Sequence, residues 1–441
     1  METTLVADYD LVPAPDGTCA GYVVRALLTL SADPGTEPGR AALNLSLVLD
    51  RSGSMSGEPL HAARRAAAML VRRLRPEDVV SVVAYADQVS TVAEPATGDA
   101  QRALPREIEQ IETGGSTNLS GGWLRGRELV GRTLSAQRIA QADAGGMHRV
   151  LLLTDGLANA GITDPATLIG MCRAAREQGI TTTTIGFGEG YDEALLRAMA
   201  DAGGGSTYYI ERPDQAADVF GEEIDGLLSL AAQNVAVDMR AADAVRLVRV
   251  HHDYPTAPHA NGARVELGDL YAREPRALLV ELFVPLPPGE VPGAWAPPAV
   301  GELVVHAHVV LPDGGIERQE IRLPVAPTLG ATGVAEPTIV RERVLLQAAA
   351  ARNAALRARE AGDFQQGAHL LAEAALAAAP YVGSDLRVAE EVEDLEAMAS
   401  HFAEERVTAA DAKYLAQMAY AQNRGKEGTR ATLRRRPPPR A

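Results

Sequence analysis

The sequence has very few cysteines, since Cys19 and Cys172 are the only two among 441 residues and stand far apart. Cysteine-bound structural zinc sites need cysteines in closely spaced pairs, and disulfide frameworks need them in larger, even-numbered sets. The sequence therefore indicates neither kind of site, and we interpret both cysteines as isolated structural thiols.

Long apolar runs are missing as well, because no stretch approaches the roughly 20 apolar residues of a membrane-spanning helix. The opening stretch METTLVADYDLVPAPDG is acidic where a secretory signal would carry a basic segment. Basic residues are in the minority, with 42 Lys and Arg against 58 Asp and Glu, which gives a formal net charge of −16. We therefore expect a cytoplasmic protein that binds neither nucleic acid nor a membrane surface.

The central part of the sequence alternates strand-like apolar runs with helical patterns. The aliphatic run Leu43–Leu49 is typical of a strand buried on both faces of a sheet. Further strands are predicted at 79–85, 89–93, 149–154, 181–187 and 207–210, and helices at 59–74, 121–134, 165–178, 192–202 and 213–230. This order predicts an α/β domain over residues 43–230 with a doubly wound, mostly parallel sheet of the Rossmann-like kind.

Different patterns flank this domain, and the length of the chain suits about two to four domains. Residues 231–328 show strands alone between proline- and glycine-rich turns, which predicts a β-sandwich. The β-like residues 1–42 are expected to join it, so that the α/β domain is an insertion. Residues 329–425 predict a helical domain, in which RAREAGDFQQGAHLLAEAALAAAP is either a plain helical hairpin or one tetratricopeptide-type unit. The basic, proline-rich residues 426–441 predict a disordered tail, with docking or phosphorylation as alternatives.

Three polar segments follow or face the strand ends of the α/β domain. Asp50–Ser54 comes directly after the first buried strand, Leu151–Gly156 ends another buried strand with a carboxylate, and Gly114–Leu119 is a hydroxyl-bearing, glycine-rich loop. In open α/β sheets, ligands bind at the carboxyl ends of the strands. The first segment alone is also explained by an ordinary polar turn before a helix. The convergence of all three at one edge indicates a ligand site.

With these segments in place, the chain resembles von Willebrand factor type A (VWA) domains from about residue 43 to 230. The stretches SGSMSGEPL, GGSTNLSGG and LLTDGLAN are similar to those of bacterial members. The resemblance implies a metal-ion-dependent adhesion site with no departure at its five ligand positions, which are Asp50, Ser52, Ser54, Thr117 and Asp155.

The resemblance also implies the metal, which is expected to be Mg²⁺ with Mn²⁺ as an alternative set by availability. Glycines near the ion are expected to let the loop backbone approach it without Cβ clashes, although each could equally be a simple turn glycine: Gly53, Gly114, Gly115 and Gly156.

The function implied by the resemblance is protein binding rather than catalysis, with the ion accepting a Glu or Asp side chain from a partner protein. The chain would then be an adaptor in an intracellular multiprotein or signalling assembly, and a MoxR-type AAA+ ATPase or a kinase and phosphatase system are possible partners. A hydrolase of phosphoesters or peptides using the same ion is an alternative, although no spare His or Glu is evident in the three segments. A structural component without bound metal is a third. Neither HExxH nor a Walker P-loop is present.

Overall fold

The structure is a computed structural model that describes residues 1–13, 19–32, 42–139, 146–188, 190–210, 212–272, 274–286, 299–311, 315–326 and 336–425. The tail predicted at 426–441 lies outside the described residues. No helix within these ranges is long and apolar enough to cross a membrane.

The strands, in chain order, are β1 (Glu2–Pro13), β2 (Cys19–Ser31), β3 (Leu43–Asp50), β4 (Val79–Tyr85), β5 (Val89–Ala96), β6 (Met147–Thr154), β7 (Ile180–Phe187), β8 (Gly204–Ile210), β9 (Leu230–Ala241), β10 (Arg246–Val250), β11 (Thr256–His259), β12 (Gly262–Tyr271), β13 (Arg276–Pro285), β14 (Gly301–Val310) and β15 (Ile316–Val325). The α-helices are α1 (Glu58–Arg73), α2 (Gly98–Glu109), α3 (Leu119–Ile139), α4 (Pro165–Glu177), α5 (Glu193–Gly203), α6 (Ala216–Leu228), α7 (Pro337–Glu360), α8 (Phe364–Ala378), α9 (Leu386–Ala403) and α10 (Ala409–Asn423).

The α/β part contains a six-stranded sheet in the order β5-β4-β3-β6-β7-β8. All neighbours pair in parallel except β4 and β5, which are antiparallel. Every residue of β3 and β6 is buried, as expected for central strands covered on both faces. The predicted α/β fold with a mostly parallel sheet is therefore confirmed.

Helix α3 packs unusually close to this sheet because glycines face it. A Cβ atom on Gly126 would lie 2.4 Å from Val48 Cγ2, and one on Gly122 would lie 2.5 Å from the Tyr85 ring. Neither distance is tolerated between real atoms, so only glycine permits this approach. The contact fixes the start of α3 over the ends of β3 and β4, where the loop before the helix must lie.

Contacts within the chain divide it into two compact units. One consists of Gly35–Gln233 with His308–Arg318, and the other of Met1–Pro34, Asn234–Ala307 and Gln319–Ala441. Besides the six-stranded sheet, an antiparallel sheet has the order β1-β2-β13-β10, and a third sheet has the order β11-β12-β9-β14-β15. The predicted β-sandwich and domain boundaries stay predictions.

The helices α7 to α10 enclose an apolar core that includes Leu371, Leu395 and Phe402. Between them lies a fully buried ion pair, in which Arg352 Nη1 donates to a carboxylate oxygen of Glu391 and, at 2.8 Å, to Gln422 Oε1. A buried charge of this kind is tolerated only while its partner stays in place. The pair therefore ties α7 to α9 and α10.

Candidate metal centre

The sheet topology brings two of the three polar segments together. Strands β3 and β6 are parallel neighbours with Leu49 opposite Leu153, so Asp50, the last residue of β3, and Asp155, the residue after β6, lie at the same edge of the sheet. The glycine-rich segment joins the first through two backbone hydrogen bonds, from Gly53 N to Gly115 O at 2.9 Å and from Gly114 N to Arg51 O at 2.6 Å.

Asp50 is fully buried and is held by hydrogen bonds on both carboxylate oxygens. Its Oδ1 accepts from Ser52 N at 2.8 Å, and its Oδ2 accepts from Thr154 Oγ1 at 2.6 Å and from Tyr85 Oη at 3.4 Å. Burial raises the pKa of Asp50 above its usual value, although these hydrogen bonds act in the opposite direction. The fold thus holds a carboxylate in a place where its negative charge is not fully compensated.

The two serines and Asp155 form a chain of short contacts. Ser52 Oγ lies 3.2 Å from Ser54 Oγ, which donates to Asp155 Oδ1 at 2.8 Å. The pKa of Asp155 is raised to about 6, with burial as the largest cause. The Ser54 hydrogen bond acts in the opposite direction, and the negative charge of Asp50 adds to the rise. Two carboxylates with raised pKa values therefore share one small region.

The hydroxyl of Thr117 reaches the same place from the glycine-rich loop. A Cβ atom built on Gly156 would lie 3.3 Å from Thr117 Oγ1 and 3.7 Å from Ser54 Oγ. The backbone of Thr117 is fixed by its N–H, which donates to Asn159 Oδ1 at 2.7 Å. The structure thus brings all five predicted ligand residues together.

The glycines of the site have different surroundings. Cβ atoms on Gly114 and Gly115 would lie 2.6 Å from Ala86 Cβ and 2.9 Å from Asp87 Oδ1. These two glycines therefore permit close packing of the loop against the residues after β4. Gly156 faces two hydroxyls of the site instead, whereas a Cβ on Gly53 would meet only ordinary contacts, the nearest at 3.7 Å.

Three residues that support the site were missed by sequence reasoning: Tyr85, Thr154 and Asn159. Burial raises the pKa of Tyr85 well above its usual value, so its hydroxyl keeps its proton and donates to Leu153 O at 3.1 Å as well as to Asp50. Thr154 and Tyr85 both end buried strands of the sheet. Thr154 stands next to the predicted ligand Asp155 in the sequence, whereas Tyr85 was marked only as the end of the predicted strand 79–85.

The five converging side chains suit a hard cation. Two carboxylates and three hydroxyls offer oxygen atoms alone, which is the ligand type that Mg²⁺ and Mn²⁺ prefer. Within the described ranges, no group of three or more His, Cys, Asp or Glu side chains is placed to hold a metal. Because all five side chains at this strand edge offer oxygen atoms, they fit a divalent ion of the magnesium class.

Comparison with known proteins extends this picture. The family model of the von Willebrand factor type A domain matches residues 44–222. The chain is 33% identical over 284 residues to the uncharacterized protein YfbK of Escherichia coli strain K12, which covers 62% of this chain and 47% of that protein. It is 28% identical over 392 residues to the E3 ubiquitin-protein ligase WAV3 of Arabidopsis thaliana, covering 85% of this chain and 46% of that one. The chain thus spans about half the length of both relatives.

A solved structure agrees with the fold. The von Willebrand factor type A protein from Catenulispora acidiphila superposes with a TM-score of 0.62 at 20% sequence identity, covering 94% of this chain and 89% of that one. Domains of this family that carry the adhesion site bind divalent metals, and they generally mediate interactions between proteins. From the parallel sheet, the family match and the shared fold, we conclude that residues 44–222 of this chain form a von Willebrand factor type A domain.

Proposed function

We propose that the VWA domain binds a protein partner through a divalent cation, Mg²⁺ with Mn²⁺ as a substitute. Asp50, Ser52, Ser54, Thr117 and Asp155 would hold the ion, which would accept a Glu or Asp side chain of the partner. The observation that carries this proposal is the convergence of five oxygen-bearing side chains, from three separate segments, at one strand edge.

The charges of the site favour a divalent cation and leave no excess negative charge that would repel a further anionic ligand. Two ionised carboxylates balance the charge of a divalent ion, and the three hydroxyls are neutral ligands. Asp50 is fully buried, whereas Ser54 is exposed and Asp155 is partly exposed, so the ion would be reached from the Ser54 side. A partner carboxylate could then add an anionic oxygen, the ligand type that displaces water from Mg²⁺.

We propose that this role is not enzymatic. The hydrogen bonds of the five side chains within the described residues involve no His or Glu that could serve as a general base. Both aspartates would be occupied by the ion. The proposal is therefore an adaptor within an intracellular assembly. The hydrolase stays one alternative hypothesis, and a regulatory partner of a MoxR-type AAA+ ATPase or of a kinase and phosphatase system stays another.

Capture of partner proteins tests the proposal. The full chain is used as bait in Mg²⁺, in chelator, and as Asp50→Ala, with Asp99→Ala as control because the Asp99 side chain is 96% exposed on α2. We expect proteins that bind in Mg²⁺ to wild type and to the control but are lost in chelator and in Asp50→Ala. A partner retained equally in all four would contradict metal-dependent binding. Phosphoester turnover that is lost in Asp50→Ala would favour the hydrolase instead.

The affinity for Mg²⁺ is expected to fall in acid. The pKa of Asp155 is raised to about 6 without metal, so the protonated carboxyl dominates below that pH and competes with the ion. Between pH 7 and pH 5 this single group should weaken Mg²⁺ binding about tenfold, because each pH unit below a pKa lowers the ionised fraction about tenfold. Calorimetric titration at several pH values checks this. A pH-independent affinity would show that Asp155 does not contribute its carboxylate.

Thr154→Val is expected to weaken Mg²⁺ binding without unfolding the domain. Valine keeps the shape of Thr154 but removes the 2.6 Å hydrogen bond to Asp50 Oδ2. Removing a residue that orients a metal ligand by a hydrogen bond typically weakens metal binding about 10- to 100-fold, so about a tenfold or greater loss of affinity should follow. Thr154→Ser keeps the hydroxyl and serves as the matched control in the same titration. Equal affinities for all three proteins would refute this positioning role.

A further inference from the structure

The loop that follows β6 exposes two aliphatic side chains beside the metal centre. This loop, residues 155–164, begins with the ligand Asp155 and carries Leu157 and Ile162, whose exposed fractions are 57% and 37%. Single exposed aliphatic residues are common on protein surfaces and need no explanation. Here, however, the two share one loop, and Leu157 is only two residues from a ligand of the proposed ion.

Hydrogen bonds join the loop to the glycine-rich segment and to the start of α3. Asn159 Oδ1 accepts from Thr117 N at 2.7 Å, and Asn159 N donates to Thr117 O at 3.2 Å. Farther along, Ile162 N donates to Ser120 Oγ at 2.8 Å. Gly161 has a φ of 73°, and a Cβ atom there would lie 2.5 Å from Ser120 Oγ. These contacts order the later part of the loop before any partner binds, which lowers the ordering cost of binding.

The rim of the site also carries an uncompensated cation. Arg51 lies between Asp50 and Ser52 in the chain, and within the described residues its guanidinium donates only to Glu112 O, at 3.3 Å. Among the described residues no carboxylate lies within ion-pair distance of its guanidinium, and the side chain is only partly buried. Together with a bound divalent ion, Arg51 makes this face complementary to an acidic segment, even though the chain as a whole is acidic.

We propose that the partner is a peptide segment in which the metal-binding Glu or Asp lies within two positions of an aliphatic residue, and that this residue packs on Leu157. The inference rests on the proposed function, because the acid is positioned by the ion. Burying an aliphatic pair beside a charge-assisted contact adds affinity and fixes the direction of the segment. Leu157 is thus a specificity residue, whereas the five ligands supply the metal-dependent contact.

The experiment uses the full chain in Mg²⁺ and a library of nonapeptides with a fixed central Asp or Glu and random flanks. The selected peptide and its counterpart with Ser in place of the aliphatic residue are then titrated against three proteins: wild type, Leu157→Ser and Leu376→Ser. Leu376 is the matched control because it is 75% exposed on α8, far from the metal ligands in sequence. The same titrations in chelator, and with Asp50→Ala, measure the metal dependence independently of the aliphatic preference.

We expect aliphatic residues to be enriched next to the acid with wild type and with Leu376→Ser. Leu157→Ser should bind the aliphatic peptide about fivefold more weakly than wild type does. It should bind the Ser peptide as tightly as wild type does. Metal-dependent enrichment of the acid with no aliphatic preference, or a preference that survives in Leu157→Ser, would overturn this inference and leave the proposed function standing. Absence of any metal-dependent enrichment of acidic peptides would contradict both.

Discussion

Replacing Asp50 with asparagine is expected to abolish Mg²⁺ binding while leaving the metal-free protein at least as stable as wild type. Burial raises the pKa of Asp50, so the ionised carboxylate at neutral pH is less favourable in the folded protein than in water. Asparagine removes that charge and can still bond to Ser52 N and to Thr154. A functional site of this kind is retained at some cost in stability.

Thermal unfolding with and without Mg²⁺ measures both effects. Wild type should gain about 2.7 kcal/mol when the free ion is at a hundred times its Kd, whereas Asp50→Asn should gain nothing. Asp99→Asn, which removes a 96% exposed carboxylate, should behave like wild type. A strong destabilisation of metal-free Asp50→Asn would instead assign Asp50 a structural role, and an undiminished gain with Mg²⁺ would place the ion elsewhere.

Replacing Arg352 with methionine is expected to destabilise the helical part by about 3–5 kcal/mol, because it leaves the Glu391 carboxylate buried without its guanidinium. The double variant Arg352→Met/Glu391→Leu should recover most of this loss, since apolar pairs of similar volume are tolerated in place of buried ion pairs.

Urea denaturation followed by circular dichroism gives these free energies of unfolding. Arg102→Met is the surface control: Arg102 pairs with Asp99 at 2.9 Å, but both side chains are exposed, so its loss should cost less than about 1 kcal/mol. A loss of similar size for Arg352 and Arg102, or a double variant less stable than the single one, would show that the buried pair does not tie the helices together.

The α/β fold and the meeting point of the ligands could be predicted because they depend on local patterns. Central parallel strands are buried on both faces, so β3 and β6 are largely aliphatic runs, although buried polar residues such as Ser46 and His148 interrupt them. Each run ends in polar residues that include Asp50 or Asp155, and parallel strands end at the same edge. The five ligand residues followed from these positions together with the family resemblance.

The supporting contacts of the site could not be predicted in the same way, because they join distant parts of the chain. Thr154 and Asp50 are 104 residues apart, Tyr85 and Asp50 are 35 apart, and Asn159 and Thr117 are 42 apart. Which hydroxyl or amide reaches which partner depends on side-chain directions within neighbouring strands and loops. No periodicity in the sequence encodes these directions.

Some elements were missed because their residues oppose the structure they adopt. Helix α2 begins at Gly98 and contains Pro105, both of which argue against a helix. Strand β11 has only four residues and includes Pro258, which is tolerated because the strand lies at the edge of its sheet. Strand β8 was predicted at 207–210 but begins at Gly204. Its glycine-rich start is typical of a loop, yet the Gly205 backbone passes so close to β7 that a Cβ there would lie 2.2 Å from Thr182 O, which only glycine permits.

The central claim is that the five side chains hold a divalent ion, and a crystal structure of the full chain grown with Mn²⁺ tests it most directly. We expect an anomalous difference peak among Asp50, Ser52, Ser54, Thr117 and Asp155 in wild type, and none there in Asp50→Asn crystals grown in the same way. Wild-type crystals in saturating Mn²⁺ that show no peak at this position, or a peak bound only by other residues, would contradict the account.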